Sequence, residues 1–188
     1  MHCRSLLIYQ SLRYFLACLV LVGLTGCSQQ TQTQLPCPSV VVVSDASSVT
    51  TFISKKGQDL TDIDFEVEID RVGHSCFYDS SLVTVNTLIR IKGTRGPRSA
   101  VTESEVIFFV AIVDKDQNVV GRERFETMLS FNSQRQRAAI VEEIEQIIPI
   151  RPNLRGFDYQ VLIGFELTPP QLEYNRDQRR RGIKRRLR

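Results

Sequence analysis

Polar and apolar residues alternate with a period of two along much of the chain, a pattern typical of β-strands with one face in a core and the other in water. In residues 63–70, apolar side chains alternate with acidic ones. A similar run covers residues 82–92, and a run of β-branched residues covers 39–43. The pattern therefore predicts a strand at each of these three places.

Residues 106–113 are apolar on both faces, which predicts a central strand. Asp114, Asp116 and Asn118 follow it and predict a hairpin connection, because Asp and Asn favour tight turns. Residues 119–131 then form the predicted return strand. Only one face of 106–113 can point into a core, so the other must be covered by a loop, by the N-terminal segment or by another protein.

The segment 138–150 admits two interpretations. Four of its isoleucines have helical spacing, whereas its richness in β-branched residues and the proline at 149 favour extended structure. We predict a strand there, and a further strand at 159–167. Thr168, ahead of two prolines, predicts the start of a short helical turn.

About seven strands separated by turn residues predict an all-β fold, a single β-sandwich. The segment 154–159 (LRGFDY) resembles the tyrosine corner of immunoglobulin-like and fibronectin type III-like domains, in which a tyrosine at the start of a late strand bonds to upstream backbone. The resemblance assigns that role to Tyr159. The chain has no tryptophan, which immunoglobulin domains bury in their core, so the fibronectin-like variant is favoured.

An apolar run at residues 14–24 follows a start whose only charges are Arg4 and Arg13. A positive start, a short apolar run and small residues beyond it indicate a secretory signal peptide. A transmembrane helix needs roughly 20 apolar residues, and extending this run backwards includes Arg13. The sequence therefore predicts export rather than a membrane span.

The apolar run ends in residues 24–27 (LTGC), which resemble the lipobox of bacterial lipoproteins. The resemblance implies that residues 1–26 are removed and that the thiol of Cys27 receives a diacylglyceryl group. Two or more acyl chains hold a protein stably at a membrane, so the membrane is an expected partner. Ser28, where an aspartate favours inner-membrane retention, implies the periplasmic face of the outer membrane. The whole chain resembles an uncharacterised proteobacterial envelope lipoprotein.

The composition after Cys27 suggests three segments: a polar tether at 27–36, the β-sandwich at 37–175 and a basic tail at 176–188. Eight of the 13 residues in the tail are basic, so we predict that it is disordered. Those that define it include Arg179, Arg180, Arg181, Lys184, Arg185 and Arg186. Such a run would suit nucleic acid in the cytoplasm, but an exported chain more readily meets anionic lipid or lipopolysaccharide. A tail that only aids solubility is the alternative.

Cys37 and Cys76 are the two cysteines left after export and lipidation. An oxidising compartment permits a disulfide between them, which would stabilise the fold by about 3–4 kcal/mol. Two free thiols, or a metal site that includes His74, are the alternatives. A metal needs three or four ligands, and His74 is the only histidine after the signal peptide, so we predict the disulfide and no metal or other cofactor.

Two groups of acidic residues are candidate calcium ligands. The residues at 114–118 match the start of an EF-hand loop, but Val119 and Phe125 occupy positions that require glycine and glutamate. A hairpin turn accounts for them better. The aspartates of 59–64 could hold a cation, although aspartates serve equally well as turn residues.

No motif in the sequence indicates catalysis. A nucleophile needs an adjacent base, and neither a nucleophile elbow nor a phosphate-binding loop is present. We therefore predict a non-enzymatic, lipid-anchored envelope protein that serves as a structural, adaptor or assembly-accessory module for another envelope protein. The alternative is a sensor module that binds a small ligand or a cation, and the least favoured hypothesis is a cell-wall hydrolase that uses two carboxylates.

Overall fold

The computed structural model describes residues 35–54, 59–132 and 136–182. Within these ranges eight strands form two four-stranded sheets, which confirms the predicted all-β sandwich. The strands are β1 (Ser39–Val42), β2 (Ser48–Phe52), β3 (Ile63–Tyr78), β4 (Leu82–Arg95), β5 (Glu103–Val113), β6 (Val119–Ser130), β7 (Arg137–Pro149) and β8 (Gln160–Phe165). An α-helix, α1 (Pro169–Arg180), follows the last strand.

The first sheet has the order β1-β8-β5-β6 and the second has the order β2-β3-β4-β7. Neighbouring strands are antiparallel, except that β1 and β8 are parallel. The orders β3-β4-β7 and β8-β5-β6 correspond to strands A-B-E and F-C-C′ of immunoglobulin-type sandwiches. In this correspondence β1 occupies the position of strand G, and Tyr159 lies at the start of the strand equivalent to F.

The core lies between the two sheets and follows from the alternation of residues along the strands. On β4 every second side chain, from Val83 to Ile91, is buried against the other sheet, and the intervening ones face outward. Phe108 of β5 and Phe165 of β8 meet them from the opposite side. The period of two in the sequence is therefore the direct cause of the two-layer architecture.

Strand β7 settles the ambiguous segment, since it pairs with β4 over its whole length. Ile144 and Ile148 point into the core while Ile147 faces outward, so the period of two overrides the helical spacing. Strand β3 is longer than predicted and continues past Asp70 to Tyr78. Its second half lacks clear alternation, and pairing with β4 holds it in extended form.

The predicted helical start at Thr168 is confirmed, but the helix is longer than a single turn. The Thr168 backbone N–H donates to the side chain of Gln171 at 2.9 Å, and prolines occupy the first helical positions. The helix then runs through Arg180, so the prediction that disorder begins at residue 176 was wrong for residues 176–180.

Residues 176–180 are helical because α1 packs against β2 at the edge of the second sheet. The ring of Tyr174 meets Phe52 edge-on, with centroids 5.2 Å apart. Asn175 donates from Nδ2 to the backbone oxygens of Asp45, at 2.9 Å, and Ser48, at 2.8 Å. Tyr174, through its ring, and Asn175, through its side-chain amide, thus hold the basic end of the helix in place. Cys27 and residues 28–34 of the tether, together with Lys184, Arg185 and Arg186, lie outside the described residues.

Candidate functional site

One end of the sandwich, which we call the Cys37 end, is closed by the disulfide. Cys37, just before β1, is bonded to Cys76 of β3, and their Cα atoms are 5.6 Å apart. The predicted bridge is therefore confirmed, and it joins the two sheets. The Tyr78 hydroxyl reinforces it by donating to the backbone oxygen of Pro36 at 2.5 Å. The chain is thus held against the sandwich from its first described residues.

Tyr159 lies at the same end and has the geometry that the tyrosine-corner resemblance implies. Its side chain is 2% exposed. The hydroxyl donates to the backbone oxygen of Pro149 at 3.2 Å and accepts the backbone N–H of Arg151 at 3.1 Å. One hydroxyl therefore satisfies two backbone groups where β7 ends and ties that strand to β8.

The loop between β7 and β8 is shaped by Gly156 and Asp158. A Cβ atom on Gly156 would lie 2.4 Å from the Tyr78 ring, so only glycine allows the loop to pack there. The Asp158 carboxylate accepts the backbone N–H of Arg155 at 2.7 Å. This hydrogen bond, together with those from the Arg155 side chain, lowers the pKa of Asp158.

The hairpin between β5 and β6 confirms the predicted turn at Asp114. The Oδ1 atom of Asp114 accepts the backbone N–H groups of Asp116 and Asn118, each at 2.9 Å. The bond from Asn118 is the main cause of the lowered pKa of Asp114. Donors therefore already occupy the oxygens that a calcium ion would need.

The second acidic group does not gather around an ion either. Asp62 is paired with Arg98, which also donates to the backbone oxygen of Thr61 at 3.1 Å. Among the described residues no cluster of three or more His, Cys, Asp or Glu side chains is arranged to hold a metal.

A cleft of about 540 Å³ opens between β6 and β7, where neither edge strand has a partner on its free side. Strands β5, β6 and β7 and the loop after β7 form its walls. Its apolar lining consists of Val110, Ile112, Val120, Ile147, Ile148 and Tyr159. Its polar lining consists of Arg122, Glu123, Glu145, Gln146 and Arg151. The cleft thus combines an apolar floor with a few charged and amide groups, which is the usual composition of a ligand site.

Gln146 is the unusual member of this lining, because it occupies an inward position of β7 between two buried isoleucines and is 6% exposed. The hydroxyl of Thr87 donates to its Oε1 at 3.3 Å. Its Nε2 is buried and has no hydrogen-bond partner within the described residues. A buried polar group in this state is uncommon in folded proteins and needs an explanation.

The charged groups of the cleft differ in how they are engaged. Arg122 donates to Glu166 at 2.6 Å and lies over the ring of Phe109, with its guanidinium carbon 4.9 Å from the centroid, so its charge is used on the outer face of the first sheet. Glu123 and Glu145 form no ion pair in the part of the chain that the structure describes. Both carboxylates are therefore free to meet a ligand.

The sequence reasoning missed this cleft, although one signal for it was present. Along β7, Glu142 and Gln146 fall in the inward register with Ile144 and Ile148. A polar residue at an inward position indicates either a satisfied core contact or a site. Recognising the site also required knowing that β6 and β7 face each other across the open edge.

The first arginines of the basic C-terminal segment form ion pairs with aspartates of the same chain. Asp45 accepts from Arg176 at 3.1 Å and from Arg179 at 2.5 Å. The hydrogen bond from Arg176 is the largest cause of the lowered pKa of Asp45. Arg180 pairs with Asp177, and Arg181 forms the exposed end of α1. Three of the four arginines between positions 176 and 181 thus have an acidic partner within the described residues.

The second face of β5 is covered by the chain itself over much of its length. Ala111 and Val113 are buried, and Phe109 lies under Arg122. The short helical turn Ser44–Ala46 lies over this face. Gly164 allows it to approach, because a Cβ atom there would lie 2.9 Å from the Cβ of Ala46 and 3.0 Å from the Phe109 ring.

Large apolar side chains are instead exposed on the outer face of the second sheet. Phe77 is 65% exposed and Leu88 is 49% exposed. The strand register places Phe77 and Ile147 on either side of Thr84, in one row across the sheet. The outer apolar patch, as we call it, consists of Phe77, Leu88, Val141 and Ile147.

No protein family, no curated protein and no solved structure matches this chain. None of the described helices is long and apolar enough to cross a membrane. The fold and its contacts alone therefore define the class: an all-β sandwich whose N-terminal strand is held by a disulfide.

Proposed function

We propose that this protein is a lipid-anchored envelope protein that acts, without catalysis of its own, as an adaptor or assembly accessory at the periplasmic face of the outer membrane. The observation that carries the proposal is the resemblance of residues 24–27 to a lipobox, ahead of a domain whose two remaining cysteines are bridged. Because disulfides persist mainly in oxidising compartments, the bridge between Cys37 and Cys76 supports export.

The position of the bridge also supports a role close to the bilayer. Ten residues of chain lead from Cys27 to Cys37, and a chain of this length spans at most roughly 36 Å when fully extended. A lipid on Cys27 would therefore keep the Cys37 end of the sandwich within that distance of the membrane surface. Partners of such a domain would themselves be membrane proteins or periplasmic proteins near the membrane.

The outer apolar patch supports a protein partner. Exposed apolar side chains that share one face of a sheet commonly mark an interaction surface. The ion pairs of Lys92 with Glu68, at 2.5 Å, and of Arg90 with Asp70, at 3.3 Å, lie on the same face. In the strand register Arg90 lies opposite Val141 and Glu143 lies opposite Leu88, so apolar and charged side chains are interspersed on this face, as they are in non-obligate interfaces.

The basic segment beyond α1 supports a weaker contact with an anionic surface. Asp45 and Asp177 together offset two of the three charges of Arg176, Arg179 and Arg180, so most of the charge left for such a contact belongs to Arg181 and the residues after it. Each lysine or arginine contributes about 1 kcal/mol near an anionic membrane. Lipopolysaccharide phosphates or anionic lipid headgroups are the corresponding partners.

The adaptor role can be tested by crosslinking the full-length protein in intact cells. Substituting Phe77→Ser and Leu88→Ser together should reduce recovery of the crosslinked partner by about tenfold, because a few large side chains carry most of the energy of an interface. Val119→Ser, which changes an equally exposed residue on a different surface, is the matched control and should leave recovery unchanged. Equal recovery from the double variant and the control would contradict the adaptor proposal.

A further inference from the structure

We propose that the cleft between β6 and β7 binds a short zwitterionic peptide, with its amine toward Glu123 and Glu145 and its carboxylate toward Arg151. This inference goes beyond the proposed adaptor function and does not depend on the lipid anchor. It concerns a pocket on the open edge of the sandwich, which the outer apolar patch adjoins only through Ile147.

The size and lining of the cleft fit a small peptide. Its volume of about 540 Å³ falls within the range of roughly 300–1,000 Å³ that is usual for small-ligand sites. Val110 and Ile112 of β5 form an apolar floor with Ile148 of β7. Such a floor suits small aliphatic side chains, while the polar groups above it fix the orientation of the ligand.

The amide of Gln146 supplies the polar contact that a peptide backbone requires. Gln146 lines the cleft, and its Nε2 is buried and lacks an acceptor among the described residues, so a turn of the side-chain amide would bring this donor to the cleft surface. A peptide carbonyl in the cleft would be that acceptor. The same group would remain unsatisfied beside a purely apolar ligand, so the amide favours peptides over hydrocarbons.

The charges of the cleft are arranged along its length. Strand β6 begins at the Cys37 end of the sandwich, and strand β7 ends there. Arg151 lies at that end, whereas Glu123 and Glu145 lie further along the strands. The four residue-to-residue steps from Glu145 to Pro149 span about 13 Å of strand. An extended peptide of three or four residues has roughly this length, so its two termini can reach opposite charges.

Binding of trialanine to the purified full-length protein in detergent tests the proposal by calorimetry. We expect saturable binding, and we expect trialanine with an acetylated amine and an amidated carboxylate to bind at least tenfold more weakly, since it lacks both charges. Gln146→Leu should also reduce the affinity for trialanine by about tenfold, because it removes the donor to the peptide carbonyl.

Two controls separate a lost contact from a lost fold. Gln146→Leu removes a buried donor that has no partner and also the acceptor of the Thr87 hydroxyl, so the two effects on stability oppose each other and the variant should still unfold in one cooperative transition. If that variant does not fold, Glu123→Gln tests the same site at an exposed position and should weaken trialanine binding. Glu126→Gln, on the outer side of β6, should leave binding unchanged.

Three results would overturn the proposal. These are the absence of saturable trialanine binding at millimolar concentration, equal affinity for the free and the capped peptide, and unchanged affinity in the folded Gln146 or Glu123 variant. Because the experiment uses isolated protein and needs neither acylation nor an envelope partner, each of these results leaves the anchoring and adaptor proposals standing.

Discussion

Tyr159 shows how much a single side chain can contribute to joining the two sheets. Its hydroxyl bonds two backbone groups at the end of β7, and its ring fills the core beside β8. A local segment of six residues was enough to identify this role from the sequence. The turn at Asp114 could also be predicted from the sequence, because the hydrogen-bond partners of Asp114 lie within four positions of it.

Removing the Tyr159 hydroxyl should therefore be costly. Tyr159→Phe leaves the backbone N–H of Arg151 and the backbone oxygen of Pro149 without their partner, so we expect a loss of about 1–3 kcal/mol in the free energy of unfolding. Tyr78→Phe, which loses one bond to a more exposed carbonyl, is the matched comparison and should cost less. Urea denaturation measures both, and a smaller loss for Tyr159→Phe than for Tyr78→Phe would contradict the tyrosine-corner role.

Asp45 should make the stability of the fold sensitive to acid. Arg176 and Arg179 hold its pKa below the ordinary value of about 3.9. A carboxylate whose pKa is lower in the folded state stabilises the fold above the unfolded-state pKa. That contribution is lost as the pH falls through the lowered, folded-state pKa.

The free energy of unfolding should accordingly be higher for the unsubstituted protein than for Asp45→Asn at pH 6, and the difference should shrink as the pH is lowered below the unfolded-state pKa of Asp45. Denaturation curves at several pH values measure this difference. A difference that is independent of pH would show that Asp45 acts through packing rather than charge. This contact was invisible in the sequence, since Asp45 and Arg176 are separated by 131 positions.

Strands β1 and β3 depend on a covalent link that the cysteine count predicted. The disulfide closes a loop with a sequence separation of 39 residues. Replacing Cys37 and Cys76 together by serine should lower the free energy of unfolding by about 3–4 kcal/mol, chiefly because the unfolded chain gains freedom. Urea denaturation without reductant measures the loss, and an unchanged midpoint would contradict a structural role for the bridge.

Helix α1 shows where composition misled the sequence analysis. A dense run of arginines predicted disorder, but Tyr174 and Asn175 hold the helix from within. Their partners, Phe52 and Asp45, are far away in the chain. No local pattern could have indicated these contacts, so the end of the helix was predicted too early.

Asn175→Ala should therefore destabilise the fold by about 1–3 kcal/mol, since it leaves two backbone oxygens near Asp45 and Ser48 without their donor. Glu173→Ala, on the exposed side of the same helix, is the control and should change the free energy of unfolding by no more than about 0.5 kcal/mol. Thermal or urea unfolding distinguishes them. Equal effects of the two substitutions would mean that α1 is not anchored through Asn175.

At the scale of the whole molecule, the sequence predicted the architecture but not its topology. Alternating runs such as 63–70 and 82–92 favour a sandwich with one buried face per strand, whichever strands are neighbours. The pairing of β1 with β8 in parallel depends on tertiary contacts and on the disulfide that holds the chain before β1. The cleft between β6 and β7 depends on that topology, which is why its residues could not be assembled into a site from the sequence alone.

Metabolic labelling with radioactive palmitate tests the anchoring claim most directly. Cells that produce the full-length protein should yield a labelled product in the membrane fraction, and Cys27→Ala should yield an uncleaved product without label. Cys37→Ser is the control for a cysteine that carries no lipid and should remain labelled. An unlabelled, freely soluble product from the unsubstituted chain, or normal processing of Cys27→Ala, would contradict the account.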